Sequence, residues 1–257
     1  MIFFLSFSCQ SIKMNDFSRY LLTNMSLQET IESYLRDIYL IETEKYNCAP
    51  SPLVKTQELA EKRAVSPASI TEMVKKLSEL GLLLHSPYRG MQLTERGRKI
   101  AIERIRRHRL WESYLYHALK LSLKDIHSEA QALEGRNSAR LLESIEEQLN
   151  FPQHDPHGDP IPSRKGIFPE RELSYSLAES LPQVQVRITH FKKQDPSFLS
   201  CVQQKQLSIH QLLWKKSSKY LQGSMLFSTE KGKLLFLPEE IALYILVTED
   251  SKTNKRK

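Results

Sequence analysis

Cysteine is scarce in this chain. Cys9, Cys48 and Cys201 are widely separated and form no CxxC pair. That spacing excludes a thiolate zinc knuckle and a disulfide framework, and it fits a reducing compartment. Long apolar runs are also absent: Ile2 to Phe7, near the start, falls far short of the roughly 20 residues a spanning helix needs. Polar residues follow it, and no basic flank of a secretory signal precedes it. No membrane partner is expected, and the expected location is the cytoplasm. Neither HExxH nor a glycine-rich nucleophile turn occurs, so these hydrolase signatures are missing and no enzyme activity is expected.

The chain does have length for about two domains and an uneven charge. Its 257 residues exceed one ordinary domain, and 40% apolar with 26% charged content suits packed cores rather than a disordered chain. The formal charge is +7. Lys55 to Arg109 alone carries 13 Lys and Arg against 6 Glu and no Asp, which equals the whole excess. A basic concentration of this kind is the footprint of a polyanion partner.

Apolar periodicity organises the first half. Leu27, Ile31, Tyr34, Leu35, Ile38 and Ile41 recur at three and four, predicting a helix over 27–45 that the Asn47–Pro52 run ends. Residues before it read as an appendage, with Met25 as an alternative initiation point. Lys55–Lys62 predicts a second helix and Arg63-Ala64-Val65 a turn. Ser66-Pro67 supplies a capping hydroxyl and a first-turn proline for a third helix, whose stripe is Ile70, Met73, Val74, Leu77 and Leu80 and whose stop is Gly81. Leu82–His85 and Met91–Leu93 predict a hairpin. Long helices are then expected from Thr94 to about Leu119 and from about Leu123 to Leu149.

The expected fold class is mainly α with β. Residues 1–24 are the appendage, 25–98 a winged helix-turn-helix, and 99–150 a helical domain that carries the candidate metal donors. A proline-rich linker (151–172), a small strand-rich domain (173–250) and a basic tail (251–257) follow. In a winged helix-turn-helix the second helix enters the major groove. Ser66, Ala68, Ser69, Thr71, Glu72 and Lys75 are predicted to face outward there, with Arg89 at the hairpin tip and Arg96, Arg98 and Lys99 extending the basic track. On the following helices His108 and Glu112 stand four apart, and His127, Gln131 and Glu134 fall at intervals of four and three, each set on one face. Mixed nitrogen and oxygen donors suit first-row divalent metals. By spacing alone, such a pair is more often a surface feature.

The strings Glu32-Ser33-Tyr34-Leu35-Arg36-Asp37-Ile38-Tyr39, Val65-Ser66-Pro67-Ala68-Ser69-Ile70-Thr71-Glu72-Met73-Val74 and Tyr88-Arg89-Gly90-Met91-Gln92-Leu93-Thr94-Glu95-Arg96-Gly97 occur in that order. Arg107-His108-Arg109-Leu110-Trp111-Glu112, His127-Ser128-Glu129-Ala130 and Gly158-Asp159-Pro160-Ile161-Pro162 continue it. Over roughly residues 25 to 165 the chain resembles the diphtheria-toxin-repressor family, which includes the manganese-transport regulators. The resemblance implies a homodimeric repressor of metal-uptake genes on a palindromic double-stranded DNA operator, with Fe2+ or Mn2+ as corepressor and an SH3-like C-terminal domain. It matches His108, Glu112 and His127 to the helical ligands of the family's ancillary metal site. At the other site only Glu134 keeps the family residue, with Ser33, Gln131 and Gly135 at the remaining positions. Gln194 and Asp195 are the candidates for ligands from the C-terminal domain. Two further readings stay open: a repressor of the same family that has lost metal sensing, and a metallohydrolase using the same His and Glu donors.

Overall fold

A computed structural model of the chain describes residues 16–46, 53–135, 137–170, 172–216 and 224–250. The first 15 residues of the expected appendage, Cys9, Cys48, the Asn47–Pro52 run and the basic tail lie outside the described residues. The chain divides between Ala101 and Ile102 into two compact units.

The first unit holds α1 (Asp16–Tyr46), α2 (Thr56–Arg63), α3 (Pro67–Glu79), β1 (Leu83–Ser86), β2 (Gly90–Leu93) and the start of α4 (Glu95–His117). α1 begins well before Leu27, because an apolar stripe marks where a helix is covered and not how far it extends. Tyr34, Leu35, Ile38 and Ile41 are buried. α2 opens with the Glu58 carboxylate accepting from Lys55 N at 2.7 Å and closes on Ala64 in the left-handed region. The Ser66 hydroxyl accepts from Ser69 N at 3.3 Å, with Pro67 at the first helical position, so α3 starts where the cap signal lies. Ile70, Val74 and Leu77 form its buried stripe; Met73 is only partly covered, and Leu80, past the last turn, is exposed. β1 and β2 pair antiparallel from Leu83↔Leu93 to Ser86↔Gly90, and Val54 adds a short third edge by exchanging hydrogen bonds with Met91. Buried Glu42 of α1 accepts from Leu93 N at 2.8 Å and Arg98 Nη2 at 2.7 Å, tying helix to wing.

The second unit continues α4 and adds α5 (Ile126–Leu133), α6 (Ala139–Gln148), β3 (Tyr175–Ser176), β4 (Gln185–Phe191), α7 (Pro196–Gln204), β5 (Leu212–Lys215), β6 (Ser224–Thr229), β7 (Leu234–Pro238), α8 (Glu239–Ala242) and β8 (Ile245–Glu249). The strands form one antiparallel sheet in the order β3-β8-β4-β5-β6-β7. The single helix predicted over 123–149 is two. α5 ends at Leu133 with Glu134 as its cap, and Ser138 starts α6 by accepting from Leu141 N at 3.2 Å. A serine N-cap inside an apolar-periodic stretch is a helix start, and it outweighs continuity of the stripe.

Helices and sheet share one core. Leu115, Leu123, Ile126 and Ala130 cluster with Leu177, Val186, Ile188, Phe191, Phe198 and Phe227. Burying each phenylalanine contributes roughly 1.5–3 kcal/mol. A register shift between Ile188 and His190 changes the phase of β4, so that Phe191, not His190, completes the inward set. The segment read as a linker is built into this unit: Asp155, Pro156, His157 and Gly158 are buried, as are Ile161 and Pro162. Phe191 N donates to His157 O at 2.8 Å, fastening the segment to β4. Proline density reported an irregular backbone, and irregular backbone is compatible with the interior once its polar groups are paired. Among the described residues no helix is long and apolar enough to cross a membrane.

Candidate metal centre and DNA-facing surface

Arg104, His108 and Glu112 follow one another at intervals of four on α4, so they share a stripe, and all three are buried. The buried face of α5 is set by Ile126 and Ala130, and Glu134 continues it. At about 100° per residue, His127 lies about 60° from Ala130 on that wheel and Gln131 about 100°. His127 therefore reaches the stripe while staying half exposed, and Gln131 is exposed.

The His108 Nε2 atom lies 3.0 Å from Glu112 Oε1 and 3.1 Å from His127 Nδ1, which is itself 3.0 Å from the same carboxylate oxygen. One ligand atom from each of these residues falls within 4.8 Å of the others. On the far side of the ring His108 Nδ1 is 2.7 Å from Glu134 Oε2, and Glu134 Oε1 accepts from Arg104 Nη2 at 2.8 Å. A second cluster, again within 4.8 Å, joins Glu112 to Asp155 and His157. Sequence reasoning passed over these two residues, although His154-Asp155-Pro156-His157-Gly158-Asp159 was a dense donor run inside a supposed linker.

Ser33, Gln131 and Glu134, the residues expected at the second site, are each described within their own unit. Ser33 belongs to the first unit, where its hydroxyl accepts from Arg63 at 3.2 Å. Gln131 points to solvent, and Glu134 is turned inward to Arg104 and His108. Gln194 donates to Asp159 Oδ2 at 2.9 Å, and Asp195 caps α7 by accepting from Phe198 N at 3.1 Å. The partners of Ser33, Glu134 and Gln194 lie 26 to 35 residues away along the chain, beyond what spacing could reveal.

Charge is tightly managed here. Burial opposes protonation of His108, but the hydrogen bonds and charges of Glu112 and Glu134 prevail and push it up to about 9. Burial would raise Glu112, yet His108 and His127, with help from His157, hold it well below the usual carboxylate range. Burial, then the charges of Asp159 and Glu112, drive Asp155 well above its ordinary value against the pull of Arg109. Burial lowers His157 despite Glu112 beside it. His157 is wholly buried, and among the described residues neither ring nitrogen has a hydrogen-bond partner of normal geometry: Glu112 Oε2 stands 3.9 Å from Nδ1, and the Leu123 backbone makes only a weaker polar contact. Asp155 Oδ2 is likewise buried without such a partner, while Oδ1 accepts from His157 N and Asp159 N at 2.8 and 2.9 Å.

Orphaned polar atoms in the interior are costly, and one ion would satisfy one His157 ring nitrogen and Asp155 Oδ2 together. Two imidazoles and a carboxylate from α4 and α5, with a further imidazole and carboxylate from the 155–157 loop, make a donor set that fits a first-row divalent cation.

In the first unit Ser66, Ala68, Ser69, Thr71, Glu72, Lys75 and Arg89 are all exposed. The Ser66 hydroxyl serves the helix cap and lies 3.0 Å from the Ser69 hydroxyl, and the Thr71 hydroxyl donates to Pro67 O at 2.9 Å, so Ala68, Glu72 and Lys75 are the side chains less tied to local structure. Tyr88, at the hairpin tip with φ +63°, is fully exposed beside Arg89. The basic track is thinner than the charge count implied. Arg63 pairs with Asp37, Arg98 with Glu42, Arg104 with Glu134, Arg106 with Glu146 and Arg109 with Asp159.

Comparison with known proteins accords with this division. Residues 26–91 match the family described as iron dependent repressor, N-terminal DNA binding domain, and residues 94–163 match the iron dependent repressor, metal binding and dimerisation domain. The chain is 34% identical over 146 residues to the iron-dependent repressor IdeR of Mycobacterium tuberculosis, covering 56% of this chain and 61% of that one. It thus spans about three fifths of the length of this relative. It is 30% identical to the HTH-type transcriptional regulator MntR of Geobacillus kaustophilus over 49% of this chain and 84% of that one. Among solved structures, a manganese-dependent transcriptional repressor in complex with manganese superposes with a TM-score of 0.69 at 29% identity, over 86% of this chain and all of that one.

Proposed function

Since the chain belongs to the iron-dependent repressor family, which also takes in the manganese regulators, we propose that it is a homodimeric, cytoplasmic, metal-dependent transcriptional repressor. It reads a palindromic operator near metal-uptake genes with α3 and the wing, and Fe2+ or Mn2+ acts as corepressor. The observation that carries this reading is the convergence of His108, Glu112 and His127, backed by Asp155 and His157, inside the segment that matches the metal-binding domain.

When bound, the divalent ion supplies a cross-link between imidazole and carboxylate donors. The residues do the rest. His108 and Glu112 present their donors from α4, and His127 presents its ring from α5, so loading them together fixes one helix against the other. Asp155 and His157 approach Glu112 from the loop fastened to β4, which excludes water from that side of the centre. If the loaded arrangement is the DNA-competent one, metal shifts the population by its differential affinity for that state. In the first unit, Lys75 and Arg89 neutralise phosphates, while Ala68 and Ser69 are small enough for close approach to base edges and thymine methyls.

The test starts with duplexes selected from a random pool by the Mn2+-loaded protein, followed by gel shift with and without chelator. Metal-dependent retention of a two-fold symmetric sequence is expected. Equal retention in chelator would leave the reading of a repressor without metal sensing, which the engagement of Ser33 and Glu134 elsewhere favours.

A further inference from the structure

We infer that Glu134 does not ligate the metal but positions His108 for it, and that Arg104 holds Glu134 in that role as a fixed internal cation. This rests on the reading of His108 as a ligand.

The Glu134 carboxylate is wholly buried and its two oxygens are divided, Oε1 toward Arg104 Nη2 at 2.8 Å and Oε2 toward His108 Nδ1 at 2.7 Å. The opposite nitrogen of that ring, Nε2, faces Glu112 and His127. A carboxylate at Nδ1 selects the tautomer with the proton on Nδ1, leaves the Nε2 lone pair for a cation, and makes it more basic. Arg104 stands one helical turn before His108 with its side chain 7% exposed. Its guanidinium stays charged in a protein and is a poor candidate for displacement once paired in the interior. A second divalent ion drawn to Glu134 would meet the repulsion of that buried cation across the same carboxylate and would have to displace one of its two hydrogen bonds, which disfavours a metal of its own there. The three side chains form a chain, Arg104 to Glu134 to His108 Nδ1, on the ring edge opposite the metal-facing Nε2.

The experiment is Co2+ titration of the full chain by visible absorption and calorimetry, with Glu134→Gln, Glu134→Asp, Arg104→Lys and His108→Ala compared with the parent. Both Glu134 variants should bind the same number of Co2+ ions as the parent with affinity weaker by about 10–100-fold, and Arg104→Lys should stay close to the parent. Glu134→Asp retracts the carboxylate while keeping the buried charge pair, so it serves if Glu134→Gln fails to fold. Loss of one bound ion in a folded Glu134 variant would make Glu134 a ligand and overturn the inference, as would unchanged affinity in both. If His108→Ala also binds as the parent does, the proposed metal centre itself has failed. If His108→Ala loses binding while the Glu134 variants do not, only the positioning role has.

Discussion

Gly158→Ala probes how the 155–158 loop is held. Gly158 has φ +92°, and a Cβ built there would lie 2.2 Å from Thr189 O and 2.7 Å from His190 Cα. Both obstacles are backbone of β4, inside a sheet paired on both sides, so no side chain can swing aside. Ordinary contact requires the loop to retreat by about 1 Å. A side chain in the left-handed region costs roughly 1–2 kcal/mol and overpacking about 1–3 kcal/mol, together about 2–5 kcal/mol. In a chain of this size that lowers Tm by roughly 4–20 °C. The retreat carries His157 and Asp155 away from Glu112, so Mn2+ affinity should fall with stability. Gly166→Ala is the control: φ is +77°, yet its Cβ meets only Ile102 Cγ2 at 3.5 Å, so it isolates the conformational cost. Differential scanning calorimetry and Mn2+ titration report both quantities. Gly158→Ala with the Tm of Gly166→Ala and the Mn2+ affinity of the parent would refute the close approach and the loop's part in the centre.

The remaining predictions concern the centre and the DNA surface. His108→Ala should lower Mn2+ affinity by at least about tenfold and abolish metal-dependent gel shift while leaving residual DNA binding in low salt; a metal response equal to the parent's would remove His108 from the centre. In the metal-free protein, the raised His108 value stabilises the fold fully below its ordinary 6.5, and the gain is lost as pH rises through about 9. The loss amounts to about 3 kcal/mol shared with its partner Glu112. Urea midpoints in chelator should therefore fall from pH 6.5 to 9.5, and a flat profile would contradict the buried pairing. Arg89→Ala and Lys75→Ala should each weaken DNA binding across sequences and reduce the salt slope by about one; an unchanged slope would place that residue off the phosphates.

The DNA-binding half was largely legible in the sequence because its information is local. Ser66-Pro67 announces a helix by its own chemistry, and Ile70, Val74 and Leu77 repeat at the period of the element they belong to. The metal half was legible only as far as α4 and α5 carry it. Spacing put Gln131 and Glu134 with His127, but periodicity cannot say where the centre of the buried face lies, and Ala130 puts Gln131 on the wrong side of it. Asp155 and His157 were hidden for another reason. They lie about forty residues beyond Glu112 on irregular backbone, where no period exists and proline reads as solvent-exposed linker. Pairings such as Arg104 with Glu134 and Arg98 with Glu42 likewise join residues 30 and 56 apart, so a count of basic residues overstated the charge left to face DNA.

The hydrogen bond from Phe191 N to His157 O separates owning the donors from holding them in place. A polypeptide stopped at residue 163, where the recognised repressor segment ends, would retain every one of the five donor side chains. It would lack the strand against which two of them lean. Such a fragment should capture a cation through its helices alone, with the loop left to wander, so under the proposed function the β-sheet half would serve as the back wall of the ion's chamber and not as freight behind it.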